Sequence, residues 1–176
     1  VSDDLLVRMN RGHTVQDSKD ATRILKDFGF KVTYHMMLGL PGATDDRQAF
    51  KEIFSNEAFK PDMLKIYPCM VLRGTRLYDQ WKEGHFRPIS TAEAKEVIKA
   101  IKRDVPPYVR INRIQRDIPT YMTEAGVDMT NLRQVVLDEL KSEGQACGCI
   151  RCREVGRAGA SGEPSFRLYA YAASGG

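Results

Sequence analysis

Long apolar runs are missing from this chain of 176 residues: no stretch approaches the roughly 18 consecutive apolar residues that a membrane-spanning helix needs. The opening VSDDLLVRMNRG also lacks the basic start and apolar core of a secretory signal. No membrane partner is expected, and a cytoplasmic protein is. An excess of one charge is missing too, since 27 Lys and Arg against 23 Asp and Glu leave only +4. Cysteine is sparse. Four thiols without an export signal argue against a disulfide framework, because the cytosol keeps thiols reduced. Internal repeats are absent, and the one linker-like stretch is GRAGASGEP (Gly156 to Pro164). The chain begins at Val1 and ends YAASGG, so a piece of a longer protein is expected.

What is present is ordinary globular material: 42% hydrophobic and 28% charged residues in a length that suits one domain, or a domain with an appendage. Thr14 caps VQDSKDATRILKDFG, where Ala21, Ile24, Leu25 and Phe28 recur at helical spacing and Gly29 supplies the stop. KVTYHMML (Lys31 to Leu38) reads as a buried strand before the turn GLPG. Thr44 opens a second helix with Phe50, Ile53 and Phe54 on its inner face. MLKIYP (Met63 to Pro68) reads as a strand, and RLYDQWKEG as a short helix closed by Gly84. Ser90 and Glu93 form a capping box for a helix with Val97, Ile98 and Ile101 in the core. VRINRIQ (Val109 to Gln115) predicts a third strand, and NLRQVVLDELKSE (Asn131 to Glu143) a last helix. SFRLYAYAA alternates as an exposed or edge strand would, with nothing after it to pair with.

Helices alternating with strands predict a parallel α/β structure. On the first strand Thr33, His35 and Met37 share one face; on the second, Met63, Lys65, Tyr67 and Cys69 do. These mixed faces suit a barrel lumen, whose site lies at the C-terminal strand ends. An ammonium such as Lys65 facing a sheet interior needs a partner or an anionic ligand. A histidine such as His35 is as readily a core residue.

The net charge is unevenly placed. KAIKRDVPPYVRINRIQR (Lys99 to Arg116) holds six basic residues, Lys99, Lys102, Arg103, Arg110, Arg113 and Arg116, and one acid, Asp104, giving +5. That is the composition of a phosphate-binding surface, or of a solvated basic helix face followed by a strand. Cys147, Cys149 and Cys152 form C-x-C-x-x-C on a loop that Gly148 lets fold tightly. Three thiolates so spaced can converge on one metal, with zinc favoured over an iron–sulfur cluster or unligated thiols. Zinc's fourth ligand is open: Cys69, His13, His35, His85, water, or a residue outside the chain.

Six ordered blocks carry a resemblance: NRGHTV (Asn10 to Val15), HMMLGLPG (His35 to Gly42), PDMLKIYP (Pro61 to Pro68), RGTRLYDQWKEG (Arg73 to Gly84), RINRIQRDIP (Arg110 to Pro119) and REVG (Arg153 to Gly156). From about Asn10 to its end the chain resembles the Elongator catalytic subunit family, radical SAM and acetyltransferase enzymes that act on the wobble uridine of tRNA. CGCIRCREVG resembles the zinc-binding linker of prokaryotic members, and LYAYAASGG the entry to their acetyltransferase domain.

The resemblance implies an α/β chain divided into the C-terminal part of a radical SAM partial TIM-type barrel (1–125), a helix plus zinc-binding cysteine linker (126–160) and the first strand of a GNAT-like acetyltransferase domain (161–176). The whole enzyme would use a 4Fe–4S cluster, S-adenosylmethionine and acetyl-CoA to build the carboxymethyl precursor on uridine. The family's cluster cysteines and acetyl-CoA site do not occur in this chain, so alone it is expected to be inactive. By analogy, Gly39 would let the backbone approach S-adenosylmethionine, and His35, Lys65 and Tyr67 would face cofactor or uridine. Lys102, Arg103, Arg110, Arg113 and Arg116 become tRNA contacts, and a homodimer or Elongator-type complex is the expected assembly. Two other readings stand beside it: a zinc-stapled tRNA-binding module without catalysis, and a radical SAM enzyme of the coproporphyrinogen-oxidase type.

Overall fold

A computed structural model describes residues 1–116, 118–158, 162–163, 165–168 and 170–174. The elements run α1 (Asp3–Arg8), α2 (Val15–Asp27), β1 (Thr33–Leu38), α3 (Asp46–Ser55), β2 (Met63–Pro68), β3 (Val71–Leu72), α4 (Arg76–Lys82), α5 (Thr91–Asp104), β4 (Arg110–Ile114), β5 (Thr123–Ala125), α6 (Leu132–Ser142) and α7 (Val155–Ala158). β1, β2 and β4 form one parallel sheet in that order, as the alternation predicts. The short β3 and β5 pair antiparallel beside it; two or three residues are too few for a period to be read.

The helices start where their caps dictate. Thr14 and Asp17 exchange hydrogen bonds at α2, as do Ser90 and Glu93 at α5, and Thr75 accepts from Tyr78 N–H at α4. At α3 the cap is Asp45, not Thr44: its carboxylate accepts from Gln48 N–H at 2.9 Å. Leu38, Leu64, Ile66, Ile111 and Ile114 from the sheet pack against Phe50 and Ile53 of α3, Ile98 and Ile101 of α5, and Leu132, Val136 and Leu140 of α6. Each such side chain contributes about 1.5–3 kcal/mol of transfer free energy on burial. Asp62 ties the strand starts together, accepting Val32 N–H at 2.8 Å and pairing with Lys26.

Helix α2 departs from its predicted packing. Its apolar stripe lies outward, with Ile24 45%, Leu25 42% and Phe28 76% exposed, while Thr22 is buried and shares a hydrogen bond with Tyr34 Oη. A helical period marks an apolar stripe but not what covers it. The alternating SFRLYAYAA forms no strand among its described residues, and Phe166 and Leu168 are almost fully exposed. Without a neighbouring strand to complete the ladder, alternation alone does not hold an extended segment in a sheet. Tyr171 instead stacks on Tyr108 at 3.8 Å, and Ala172 O accepts from Lys60 Nζ. Residues 159–161 and 164 of the linker, Asp117 and Tyr169 lie outside the described residues. No helix in the described part is long and apolar enough to cross a membrane.

Gly39 closes β1 at φ +67, and a Cβ there would lie 2.7 Å from Cβ of Ile89. The close approach at this glycine is therefore to Ile89. Gly39→Ala combines left-handed strain with overpacking and should destabilise the chain by about 2–4 kcal/mol, read from denaturant unfolding. Wild-type stability would contradict the geometry.

Candidate active-site face and metal-binding loop

Strand register brings three sequence-distant residues into one row. His35 pairs with Lys65, and Lys65 pairs with Arg113, so a histidine, an ammonium and a guanidinium lie side by side across β1, β2 and β4. Tyr67, two residues beyond Lys65, meets the His35 ring edge-to-face at 5.9 Å. Partial burial, and then the charge of Lys65, push the His35 pKa down, which favours neutral imidazole at pH 7.

At the C-terminal strand ends, where Gly39 and Cys69 follow β1 and β2, a cleft of about 1330 Å³ opens, lined also by Asp46, Arg76 and Arg87. Sequence reasoning passed over Asp46. Its carboxylate accepts Gly39 N–H at 2.7 Å, holding the GLPG turn against α3, and burial pushes its pKa up. The DD pair after that turn was the available signal. Cys69, pushed up to about 11 by burial and then by Asp46, stays a thiol.

The cysteine loop lies away from this cleft, on the outer edge of β4. Ile150 N–H donates to Val109 O at 3.0 Å, Arg133 Nη2 donates to Ile111 O at 2.8 Å, and Arg151 Nη1 donates to Asn112 O. Ile111 N–H donates to Cys149. The loop thus satisfies β4 as a neighbouring strand would, which protects a parallel sheet from edge-to-edge association. The sulfurs of Cys147, Cys149 and Cys152 lie within 4.8 Å of one another and can hold one metal ion. Hydrogen bonds from its two neighbouring thiols pull the Cys149 pKa down. Among the described residues this cluster holds the three thiols and no fourth ligand. Cys69 packs with Val71 and Phe86, His35 lies on β1, and His85 faces Glu83, so none of them serves; His13 lines a separate pocket beside Val1 and Leu5.

The basic segment proves to be four environments. Lys102 is fully buried, with Nζ 3.8 Å from Cys152 Sγ, so its side chain offers no surface to a phosphate. Lys99 bridges Glu96, Glu139 and Glu143, and Arg103 bonds Glu143 and Gln145, so α6 neutralises this side of α5. Arg110 pairs with Glu154. Arg113 and Arg116 are exposed. Apart from Glu96 on α5 itself, the acids that neutralise this run lie elsewhere in the fold, beyond the reach of a local charge count.

A parallel sheet with helices on its face, a cleft at the C-terminal strand ends and a row of polar residues across the strands fit the later part of a parallel α/β barrel. The Radical_SAM C-terminal domain model matches residues 61–142 and the Radical SAM superfamily model residues 1–53. A tRNA uridine(34) acetyltransferase of Methanocaldococcus infernus is 49% identical over 158 residues, 89% of this chain and 30% of that protein. The same-named protein of Dehalococcoides mccartyi is 43% identical over 182 residues, 100% of this chain and 39% of its own, and Elongator complex protein 3 of Homo sapiens is 44% identical over 89% of this chain. The solved structure of the archaeal Methanocaldococcus infernus Elp3 with an N-terminal deletion superposes with a TM-score of 0.85 at 48% identity, over 90% of this chain and 38% of that one. The chain belongs to the Elongator catalytic subunit family, and it spans about 29–39% of the length of these relatives.

Proposed function

We propose that this chain is part of a tRNA carboxymethyluridine synthase, a tRNA uridine acetyltransferase that modifies the wobble uridine with S-adenosylmethionine and acetyl-CoA. The observation that carries the reading is the 43–49% identity to proteins named tRNA uridine(34) acetyltransferase, sustained over 89–100% of this chain. In it, residues 1–125 belong to the barrel, 126–160 to the helix and cysteine linker, and 161–176 to the start of the acetyltransferase domain. A 4Fe–4S cluster with S-adenosylmethionine supplies radical chemistry when bound; this chain contributes the wall facing it. There the GLPG turn, fixed by Asp46, shapes the cleft rim, and His35, Lys65 and Tyr67 face the cofactor or the uridine.

Zinc is the ion we assign to Cys147, Cys149 and Cys152. The donor set is all thiolate, and the buried Lys102 gives the excess negative charge of three thiolates around a divalent ion a counter-charge. Arg110, Arg113 and Arg116 are the segment's remaining candidates for tRNA, with Lys102 and Arg103 engaged in the interior and the α5–α6 seam. A cytoplasmic location, and assembly as a homodimer or within an Elongator-type complex, accompany this reading. Nucleoside mass spectrometry tests it: deleting the gene should abolish carboxymethyl-type modification of uridine 34, and unchanged tRNA would refute it.

A further inference from the structure

Beside the cysteine loop lies a further pocket, of about 390 Å³, in which four of the seven lining residues are cations: Lys65 from β2, Arg113 from β4, Arg133 from α6 and Arg151 from the cysteine loop. Asn112 and Gln115 also line it, and no acidic residue does. Two features make it a built site. Arg133 and Arg151 are half-buried and fixed, each donating one N–H to a β4 carbonyl, Ile111 O and Asn112 O respectively. A guanidinium carries five N–H donors in a planar fork, so each retains donors after that bond. The two cations also lie near enough that, after burial, the charge of Arg151 is the next cause depressing the Arg133 pKa.

Bringing like charges together in a half-buried pocket costs free energy; at Arg133 the sulfurs of Cys152, Cys149 and Cys147 offset part of it, and elsewhere a carboxylate would normally do so. No carboxylate lines the pocket. Arginine forks in such a place match the geometry of a phosphate. The pocket joins the His35–Lys65–Arg113 row at Lys65 and Arg113, and the exposed Arg116 follows just beyond Gln115.

We propose that Lys65, Arg133 and Arg151 form a subsite for a backbone phosphate of the RNA substrate, next to the nucleotide held in the barrel. The subsite rests on the tRNA reading above. It deepens that reading by placing the phosphate clamp on the helix and metal loop that seal β4, away from the Lys102–Arg103 end of the basic segment. Free coenzyme A also carries phosphate esters and is the competing source.

The test uses the whole chain, a synthetic anticodon stem–loop RNA with uridine 34, and coenzyme A as a second probe. RNA affinity is measured between about 50 and 200 mM salt for wild type, Arg133→Gln/Arg151→Gln, and Arg133→Lys/Arg151→Lys. Glutamine keeps a donor for the β4 carbonyls, and bound metal and the melting curve report the fold. The Gln pair should bind RNA about tenfold more weakly at low salt and lower the log–log salt slope by about 1.4, two contacts at about 0.7 each. The Lys pair should restore the slope. A Gln pair with wild-type slope overturns the subsite and leaves the tRNA reading standing. A wild-type chain that ignores the RNA overturns both. Displacement of RNA by coenzyme A from wild type but not from the Gln pair overturns the assignment to RNA.

Discussion

Serine in place of Cys149 is expected to release the metal and open the outer edge of β4. This residue is fully buried and accepts from Ile111 N–H, so its sulfur serves the metal site and the sheet edge together. Losing one of three thiolate ligands should weaken zinc binding by more than about 100-fold. At metal concentrations that saturate wild type, a hundredfold loss of affinity removes about 2.7 kcal/mol of linked stability. For a domain of this size that is roughly 5–11 °C in Tm. The unsealed edge adds a second consequence, aggregation on heating. A Cys149→Ser protein that melts with wild type and holds a full equivalent of zinc would separate the loop from any structural role.

Lys102→Met gives the second large effect, and its sign depends on the metal. The side chain is fully buried, and among the described residues its polar contact is Cys152 Sγ. Next to three thiolates and a divalent ion the ammonium cancels the residual negative charge; next to three neutral thiols it is an uncompensated buried cation. Methionine has nearly the same length and no charge. The variant should therefore bind zinc about 10–100-fold more weakly, while its metal-free form should be more stable than metal-free wild type, by about 1 kcal/mol or more. Zinc titration and denaturant unfolding with and without chelator read both. Equal destabilisation in both states would mean that Lys102 only fills space, and unchanged zinc affinity would mean that it does not face the metal.

Local signals in the sequence carried the fold. Caps at Thr14 and Ser90, and alternation in the two segments that became β1 and β2, each depend on neighbours a few residues away. The same alternation, extended across the strands, was enough to place His35, Lys65 and Tyr67 on one face. The rest depended on partners distant in sequence. The stripe of α2 was visible, but not that it would lie outward; SFRLYAYAA has strand periodicity but no strand beside it. The basic segment shows the point most clearly: Glu139 and Glu143 reach Lys99 and Arg103 from about 40 residues away, and Cys152 meets Lys102 across 50 residues. Arg133 and Arg151, unremarkable in the chain, come together only when α6 and the cysteine loop both cap β4.

The proposed metal centre joins these parts, because the cysteine loop seals the sheet edge, places Cys152 beside Lys102 and positions Arg151. X-ray absorption and metal analysis of the purified chain test it most directly. About one equivalent of zinc with three sulfur neighbours is expected, lost when Cys147, Cys149 and Cys152 are replaced by serine. A chain without stoichiometric metal, or one holding iron with visible charge-transfer absorbance, would contradict it.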